Sequence, residues 1–330
     1  MKPMPHLIQR RWLAALALAG ALVPTAAWAQ ADYPSRPIRL LVGYAAGGGV
    51  DGSARLLANQ LSQQLGQPVV VENRAGASGQ IAADAVAKAA PDGYTFLVGE
   101  SALMIAKALQ PAQSVDPLTA FTPVAGLFVA PLVIISNNDF PARTPAELVR
   151  ELKRNPGKLS YATSGVGTVH HMGFEMLKQE TNTFALHVPY RGASQIVPDV
   201  ISGQVQLGVV SVTAATAQSK AGRVRALALM SRTPVPGAES IKPLADAVPG
   251  FNVEPRLFLL APAGTPAAVT AKVSSAVKLA LEQPETIKGS VAQGLPISFL
   301  SPQQLQQSMK DESTHWSRIV RERHLTPEGK

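Results

Sequence analysis

Two glycine-rich turns carry the residues of this sequence best suited to chemistry, and that chemistry is the binding of an anion. The turns are Ala46-Gly47-Gly48-Gly49-Val50-Asp51 and Ser164-Gly165-Val166-Gly167-Thr168. Each follows a strand-like apolar segment and precedes an amphipathic helical segment. A glycine turn at a helix N-terminus leaves N–H groups unpaired, lets a ligand approach the main chain and adds the positive end of the helix dipole. Two such turns predict two lobes that hold one small carboxylate or phosphate between them.

Side chains near these turns are candidates for contact with the ligand. Ser164 and Thr168 have hydroxyls that can donate to a carboxylate, or can cap their own helix. Asp51 is expected as the N-cap of the first helix, where it would repel a second anion. The predicted ligand-binding set is Tyr44, Ala46, Gly47, Gly48, Asp51, Ser101, Ser164, Thr168, His171, Tyr190 and Gly192.

Two members of that set have structural alternatives. His171 falls in the first turn of its helix and is either a hydrogen-bonded structural group or a ligand contact, with His170 expected on another face. Tyr190 lies between a strand and a helix, either at the edge of the site or packed with its hydroxyl satisfied.

The sequence does not contain the common catalytic signatures. It has no G-x-S-x-G elbow, no H-E-x-x-H helix and no Walker loop, and Gly165-x-Gly167 lacks the third glycine of a dinucleotide fingerprint. His171 and Glu175 share a helix face without an obvious third metal ligand. We therefore expect no enzymatic activity, no cofactor and no metal.

Length and composition predict an exported two-lobe protein. The chain has 330 residues, of which 46% are hydrophobic and 16% charged, enough to fill two ordinary cores. Residues 1–29 have a basic start, a short apolar stretch and an A-x-A site, and are therefore predicted to be a cleaved signal peptide. The net charge of +8 falls to +5 after cleavage, which leaves 27 basic and 22 acidic residues. Basic residues are scattered, so no nucleic-acid surface is indicated. The absence of cysteine excludes disulfides.

Strand and helix patterns alternate along the chain and predict an α/β fold with mostly parallel sheets flanked by helices. Residues 133–135 and 257–260 are predicted to be two strands that cross between the lobes and form a hinge. Lobe one would then comprise residues 30–135 and 256–330, and lobe two residues 136–255.

Several motifs together resemble one family. These are Tyr33-Pro34-Ser35-Arg36-Pro37-Ile38, Gly47-Gly48-Gly49 with Asp51 and Ala54-Arg55, residues 66–74, Pro91-Asp92-Gly93-Tyr94-Thr95, the second glycine turn with His171, residues 188–192, and residues 261–266. Their order is similar to that of the Bug-type solute receptors, the periplasmic substrate-binding proteins of tripartite tricarboxylate transporters, and covers essentially the whole mature chain.

That resemblance implies a two-lobe, type II-like periplasmic-binding-protein fold with a small mono- or dicarboxylate held in the cleft by amides, hydroxyls and water. It also implies a periplasmic location and delivery to membrane permease subunits. We expect a monomer. The same pocket could instead serve a carboxylate-sensing receptor with a signalling partner, or an exported hydrolase or isomerase.

The chain departs from the family pattern at several positions. Gly43, Ala45 and Ala46 replace usual prolines, and Tyr44 replaces a usual phenylalanine. A common aromatic near position 256 is replaced by Arg256, which could bind a ligand carboxylate, pair with Glu254 or Asp246, or lie on the surface. Phe258 stands where a small residue is usual. The identity of the acid is left open.

Overall fold

The structure is a computed structural model that describes residues 33–190 and 193–327. The chain divides into two compact units, Met1–Ser35 and Arg36–Lys330, and every element below belongs to the second. The predicted signal peptide, residues 1–29, and the predicted site residue Gly192 lie outside the described residues. None of the described helices is long and apolar enough to span a membrane.

One mixed sheet of six strands is built from the two ends of this unit. Its spatial order is β11-β4-β10-β3-β1-β2. Pairing is parallel between β1 and its neighbours β2 and β3, and antiparallel on both sides of β10 and between β11 and β4. The strands are β1 (Ile38–Val42), β2 (Val69–Asn73), β3 (Thr95–Glu100), β4 (Phe121–Val129), β10 (Arg256–Pro262) and β11 (Ile297–Leu300).

A second mixed sheet of five strands is built from the middle of the chain. Its order is β7-β6-β8-β5-β9, with β6 parallel to its neighbours and β5 antiparallel to its own. The strands are β5 (Leu132–Ser136), β6 (Ser160–Thr163), β7 (Leu186–Pro189), β8 (Leu207–Ser211) and β9 (Arg225–Leu229).

Helices connect most of these strands and begin at turn or capping residues. The helix of residues 145–154, for example, follows Thr144, whose side chain accepts a hydrogen bond from the Glu147 amide. The helices are α1 (Gly49–Leu65), α2 (Gln80–Ala87), α3 (Ala102–Leu109), α4 (Pro145–Arg154), α5 (Val169–Thr181), α6 (Ala193–Ile201), α7 (Val212–Lys220), α8 (Ala267–Leu281), α9 (Pro284–Gln293) and α10 (Pro302–Glu322).

The α/β fold and its two sheets confirm the expected fold class, but the expectation of mostly parallel sheets is wrong. The chain leaves the first sheet through β4 and returns to it through β10, which pairs beside β4. An outgoing and a returning strand that lie side by side must run in opposite directions, so the pair is antiparallel.

The crossings between sheets are made by segments that lie outside the strands, a short one between β4 and β5 and a long one between β9 and β10. Residues 133–135 and 257–260, predicted to cross, lie inside β5 and β10, which each belong to one sheet. The outgoing crossing is Ala130-Pro131, and the returning one ends at Pro255. The Ala130 amide donates to the Pro255 carbonyl at 2.7 Å, which ties the two crossings together. Proline lacks an N–H group and so interrupts a ladder where each chain segment changes sheets.

Candidate ligand-binding cleft

A cleft of about 650 Å³ lies where the two sheets' loops and the two crossings meet. Four helices, α1, α3, α5 and α7, contribute residues from their N-termini. The first sheet and its helices contribute Tyr44, Gly48, Gly49, Val50, Ser78, Glu100, Ala102, Gln293, Gly294 and Leu295. The crossings and the strand residues beside them contribute Ala130, Pro131, Leu132, Pro255 and Leu257. The rest of the second sheet and its helices contribute Ser164, Thr168, Val169, His170, Ser211 and Thr213.

The first glycine turn presents main chain to this cleft. Gly48 is the N-cap of α1 and has extended backbone, and no side chain caps the helix. The next amides, of Gly49 and Val50, fall in the first turn, where α-helical geometry supplies no carbonyl partner. A Cβ atom built on Gly49 would meet no atom within 4 Å, and one built on Gly48 only the Ala45 carbonyl oxygen at 3.4 Å. The turn is therefore open to a ligand.

Asp51 supports the turn from behind and is not the N-cap that the sequence predicts. It is the third residue of α1, in the first turn of the helix, with 2% of its side chain exposed. Its carboxylate accepts from the Gly47 amide at 2.9 Å, from Asn73 Nδ2 at 2.8 Å and from Arg55 Nε at 2.9 Å. These donors, Arg55 first, lower the pKa of Asp51 to about 2. Glycine at the cap has no side chain to compete, so the carboxylate folds back from the third helical position to the turn.

The second glycine turn opens α5 and is held by Thr168. Its Oγ1 accepts from the His171 amide at 3.3 Å and donates to the Gly165 carbonyl at 2.8 Å. The hydroxyl proton is thus committed to the turn itself. Ser164 Oγ lies 3.1 Å from His170 Nδ1, so this pair is one hydrogen-bonding unit that the second lobe offers at the cleft, beside Ser211 and Thr213.

The placements of the two adjacent histidines, His170 and His171, are the reverse of those expected. His170 lines the cleft, and burial lowers its pKa to about 4, so it is neutral at neutral pH. His171 is 2% exposed and stacks on His187, with ring centroids 4.0 Å apart. The helix periodicity of α5 turns His171 toward the sheet with Met172 and Glu175, while His170 is left facing the cleft.

Tyr44 and Glu100 form a pair in the wall of the cleft. The Tyr44 hydroxyl donates to Glu100 Oε1, and both residues line the cavity. Burial raises the pKa of Glu100. The pKa of the Tyr44 hydroxyl is also raised, mainly by burial and secondly by the negative charge of Glu100. Sequence reasoning missed Glu100, although its place at the carboxyl end of β3, just before a helix, is a typical position for a binding residue in an α/β sheet.

The remaining predicted residues lie outside the lining of the cleft. Ala46 and Gly47 are exposed in the first turn. Ser101 is fully buried; its Oγ donates to Glu312 at 2.8 Å and accepts from the Arg256 amide at 2.9 Å. The Tyr190 hydroxyl donates to Asp199.

Arg256 does not line the cleft either. Its guanidinium donates to Ser298 Oγ at 2.8 Å and lies 3.9 Å from Glu254, which matches the structural alternative of pairing with Glu254. Phe258 is 1% exposed inside the first sheet.

The cleft is rich in hydroxyls and amides and poor in charge. Ser211 and Thr213, at the start of α7, were not among the predicted site residues, because no glycine turn marks this helix N-terminus in the sequence. Among the described residues that line the cleft, none is lysine or arginine. Nor does the described part of the chain hold a group of three His, Cys, Asp or Glu side chains that could bind a metal ion. Such a lining suits a small anion held by main-chain dipoles.

Comparisons with known proteins agree with this geometry. Residues 53–325 match the family model described as "Tripartite tricarboxylate transporter family receptor". A protein from the tcbD-tcbE intergenic region of Pseudomonas sp. strain P51 is 34% identical over 96% of this chain and 95% of its own length. Protein BugT of Bordetella pertussis is 32% identical over 93% of this chain and 96% of its own.

Solved structures show the same fold. The periplasmic binding protein BugD superposes with a TM-score of 0.75 at 32% identity, over 88% of this chain and 98% of that one. Rpa4515 of R. palustris with adipate gives 0.77 at 30% identity, over 88% and 98%. MatC of Rhodopseudomonas palustris with bound malate gives 0.75 at 30% identity, over 87% and 100%.

Proposed function

The chain belongs to the tripartite tricarboxylate transporter receptor family, a family of solute-binding proteins and not of enzymes, and from that premise we propose that it captures a small carboxylate in its cleft. The observation that carries the proposal is the convergence on one cavity of two glycine-turn helix starts, those of α1 and α5, from opposite sheets. The adipate and malate held by the two Rhodopseudomonas relatives support a carboxylate as the ligand.

The mechanism follows from the contacts in the cleft. The open amides after Gly48 receive one carboxylate, and the dipole of α1 favours its charge. Ser164 and His170 add hydrogen bonds from the second lobe. Burying an anion costs little only where hydrogen bonds replace its water, so both lobes must close on the ligand.

Closure would use the two crossings as a hinge. The Ala130 amide and the Pro255 carbonyl are hydrogen-bonded to each other between the two sheets. The proposed lobes meet at this bond, so the first boundary lies at Pro131 and not at residue 135 as expected, because β5 (Leu132–Ser136) pairs in the second sheet. Residues at the ends of elements, such as these, can absorb the backbone rotation of a hinge. The closed receptor would be periplasmic, would act as a monomer and would present the acid to the membrane subunits of a tripartite transporter.

A thermal-shift screen of the mature protein against mono- and dicarboxylic acids tests this function. A ligand at about 100 times its Kd stabilises the folded state by about 2.7 kcal/mol, which raises the Tm of a protein this size by several degrees. We expect at least one acid to do so and an equal concentration of its amide analogue to fail. A screen in which no carboxylate raises the Tm would count against the proposal. Loss of uptake of that acid after deletion of the gene, restored by the wild-type copy, would test the transport role.

A further inference from the structure

Glu100 is an ionisable acid in the wall of a cleft that otherwise favours anions. It is partly buried, and its Oε1 accepts a hydrogen bond from Tyr44. Within the described residues, no hydrogen bond or ion pair is found for its Oε2. No lysine or arginine among the described lining residues offsets its charge. His170, the other ionisable lining group besides Tyr44, is neutral at neutral pH because burial lowers its pKa.

The Tyr44 hydroxyl is arranged to support Glu100 as an acceptor. Burial raises the pKa of Glu100, and the hydrogen bond that Tyr44 donates opposes this shift because it favours the ionised form. The bond engages Oε1 and leaves Oε2 for another donor. A ligand group placed near this oxygen is therefore attracted if it carries an N–H or O–H and repelled if it is a second carboxylate.

Resting on the proposed function, we propose that this receptor prefers a monocarboxylate that carries a hydrogen-bond donor, a hydroxyl, amide or ammonium group, for Glu100, and that it discriminates against simple dicarboxylates. The carboxylate binds at the glycine turns, and the donor binds Glu100 Oε2. Specificity then comes from a repulsive element as well as an attractive one. Glu100 accepts a hydrogen bond from the donor-bearing ligand, whereas a dicarboxylate would place a second negative charge beside Glu100 in a partly desolvated site.

Calorimetry at pH 7.5 with ligand pairs of matched length tests the inference. The pairs are succinate with 4-aminobutyrate and 4-hydroxybutyrate, glutarate with 5-aminopentanoate and 5-hydroxypentanoate, and adipate with 6-aminohexanoate and 6-hydroxyhexanoate. For the length that binds best, we expect the donor-bearing acid to bind at least about tenfold more tightly than the dicarboxylate, because the dicarboxylate meets a like charge at Glu100.

The variant Glu100→Gln should remove that preference by weakening the donor-bearing acid, strengthening the dicarboxylate, or both, so that the ratio falls by about tenfold. Glu285→Gln, which removes the same charge from an exposed site in the first turn of α9, is the matched control and should keep the wild-type ratio. The ratio measured on the wild-type protein tests the ligand preference without any variant, so a folding defect in Glu100→Gln would not leave the preference untested.

Two failures are distinguishable. If wild-type protein binds dicarboxylates as tightly as their partners, the role of Glu100 is overturned while carboxylate capture stands. If no acid of either kind binds, the proposed function falls and this inference falls with it.

Discussion

The replacement Gly48→Val separates ligand binding from folding. Gly48 has φ −76° and ψ 169°, an extended conformation that β-branched residues favour. The nearest protein atom to a new Cβ is the Ala45 carbonyl oxygen, at 3.4 Å, which is ordinary contact. The protein can therefore accept the side chain, with an expected change in the free energy of unfolding within about 1 kcal/mol.

The cost should appear in affinity. Valine methyl groups would stand where a carboxylate must approach the amides that follow Gly48. Loss of one hydrogen bond to a charged group costs about 1.5–3 kcal/mol, so the Kd of the cognate acid should rise about 10- to 100-fold. Urea denaturation measures the stability and calorimetry the affinity.

The matched control is Ala267→Val. It introduces the same side chain in the first turn of α8, at an exposed position that does not line the cleft. Its affinity should equal that of the wild type. A Gly48→Val protein that is folded and binds with wild-type affinity would refute the assignment of the first turn as an anion site.

Three further outcomes follow from the contacts around the turns. Asp51→Asn should lower the free energy of unfolding by about 1–2 kcal/mol in urea melts, because the carboxylate holds the turn from outside the cleft, and should weaken binding less than Gly48→Val; a larger loss of affinity would contradict this. Thr168→Val removes both the cap of α5 and the donor to Gly165, and should cost about 1–2 kcal/mol, which unchanged urea midpoints would exclude. Acid should destabilise the fold, because burial lowers the pKa of His171 to about 4 in the folded protein, below its value in the unfolded chain. Between about pH 6.5 and pH 4 the unfolded state therefore binds a proton that the folded state does not. The free energy of unfolding should fall as the pH drops through that window, by about 3 kcal/mol at pH 4 from His171 alone. A flat pH profile of urea stability would contradict this last expectation.

The fold class was predictable because its signals are local. Strand segments that end in glycine turns, followed by helical periodicity, predict an α/β unit wherever they occur. The strand β4 gives no such signal: it is largely buried, contains Pro123 and Gly126, and has no period-2 alternation. Its place in the sheet is set by pairing with β10, more than a hundred residues away in sequence, and sequence patterns do not report such contacts.

The site was predictable at its main chain and less so at its side chains. Gly48 and Ser164 were placed from turn chemistry, and both line the cleft. His170 and His171 are adjacent, and only the rotation of α5 against its sheet decides which one faces the ligand. Glu100 was missed because a single acidic residue after a strand has no pattern of its own, and only the structure brings it beside Tyr44.

A crystal structure of the mature protein with the acid identified in the screen tests whether the cleft holds a carboxylate between the two glycine turns. We expect the carboxylate to lie between the two lobes, within hydrogen-bonding distance of the amides at the start of α1 and of Ser164 or His170. An acid bound anywhere else on the protein, or turned so that its carboxylate points away from both glycine turns, would contradict carboxylate capture at these turns.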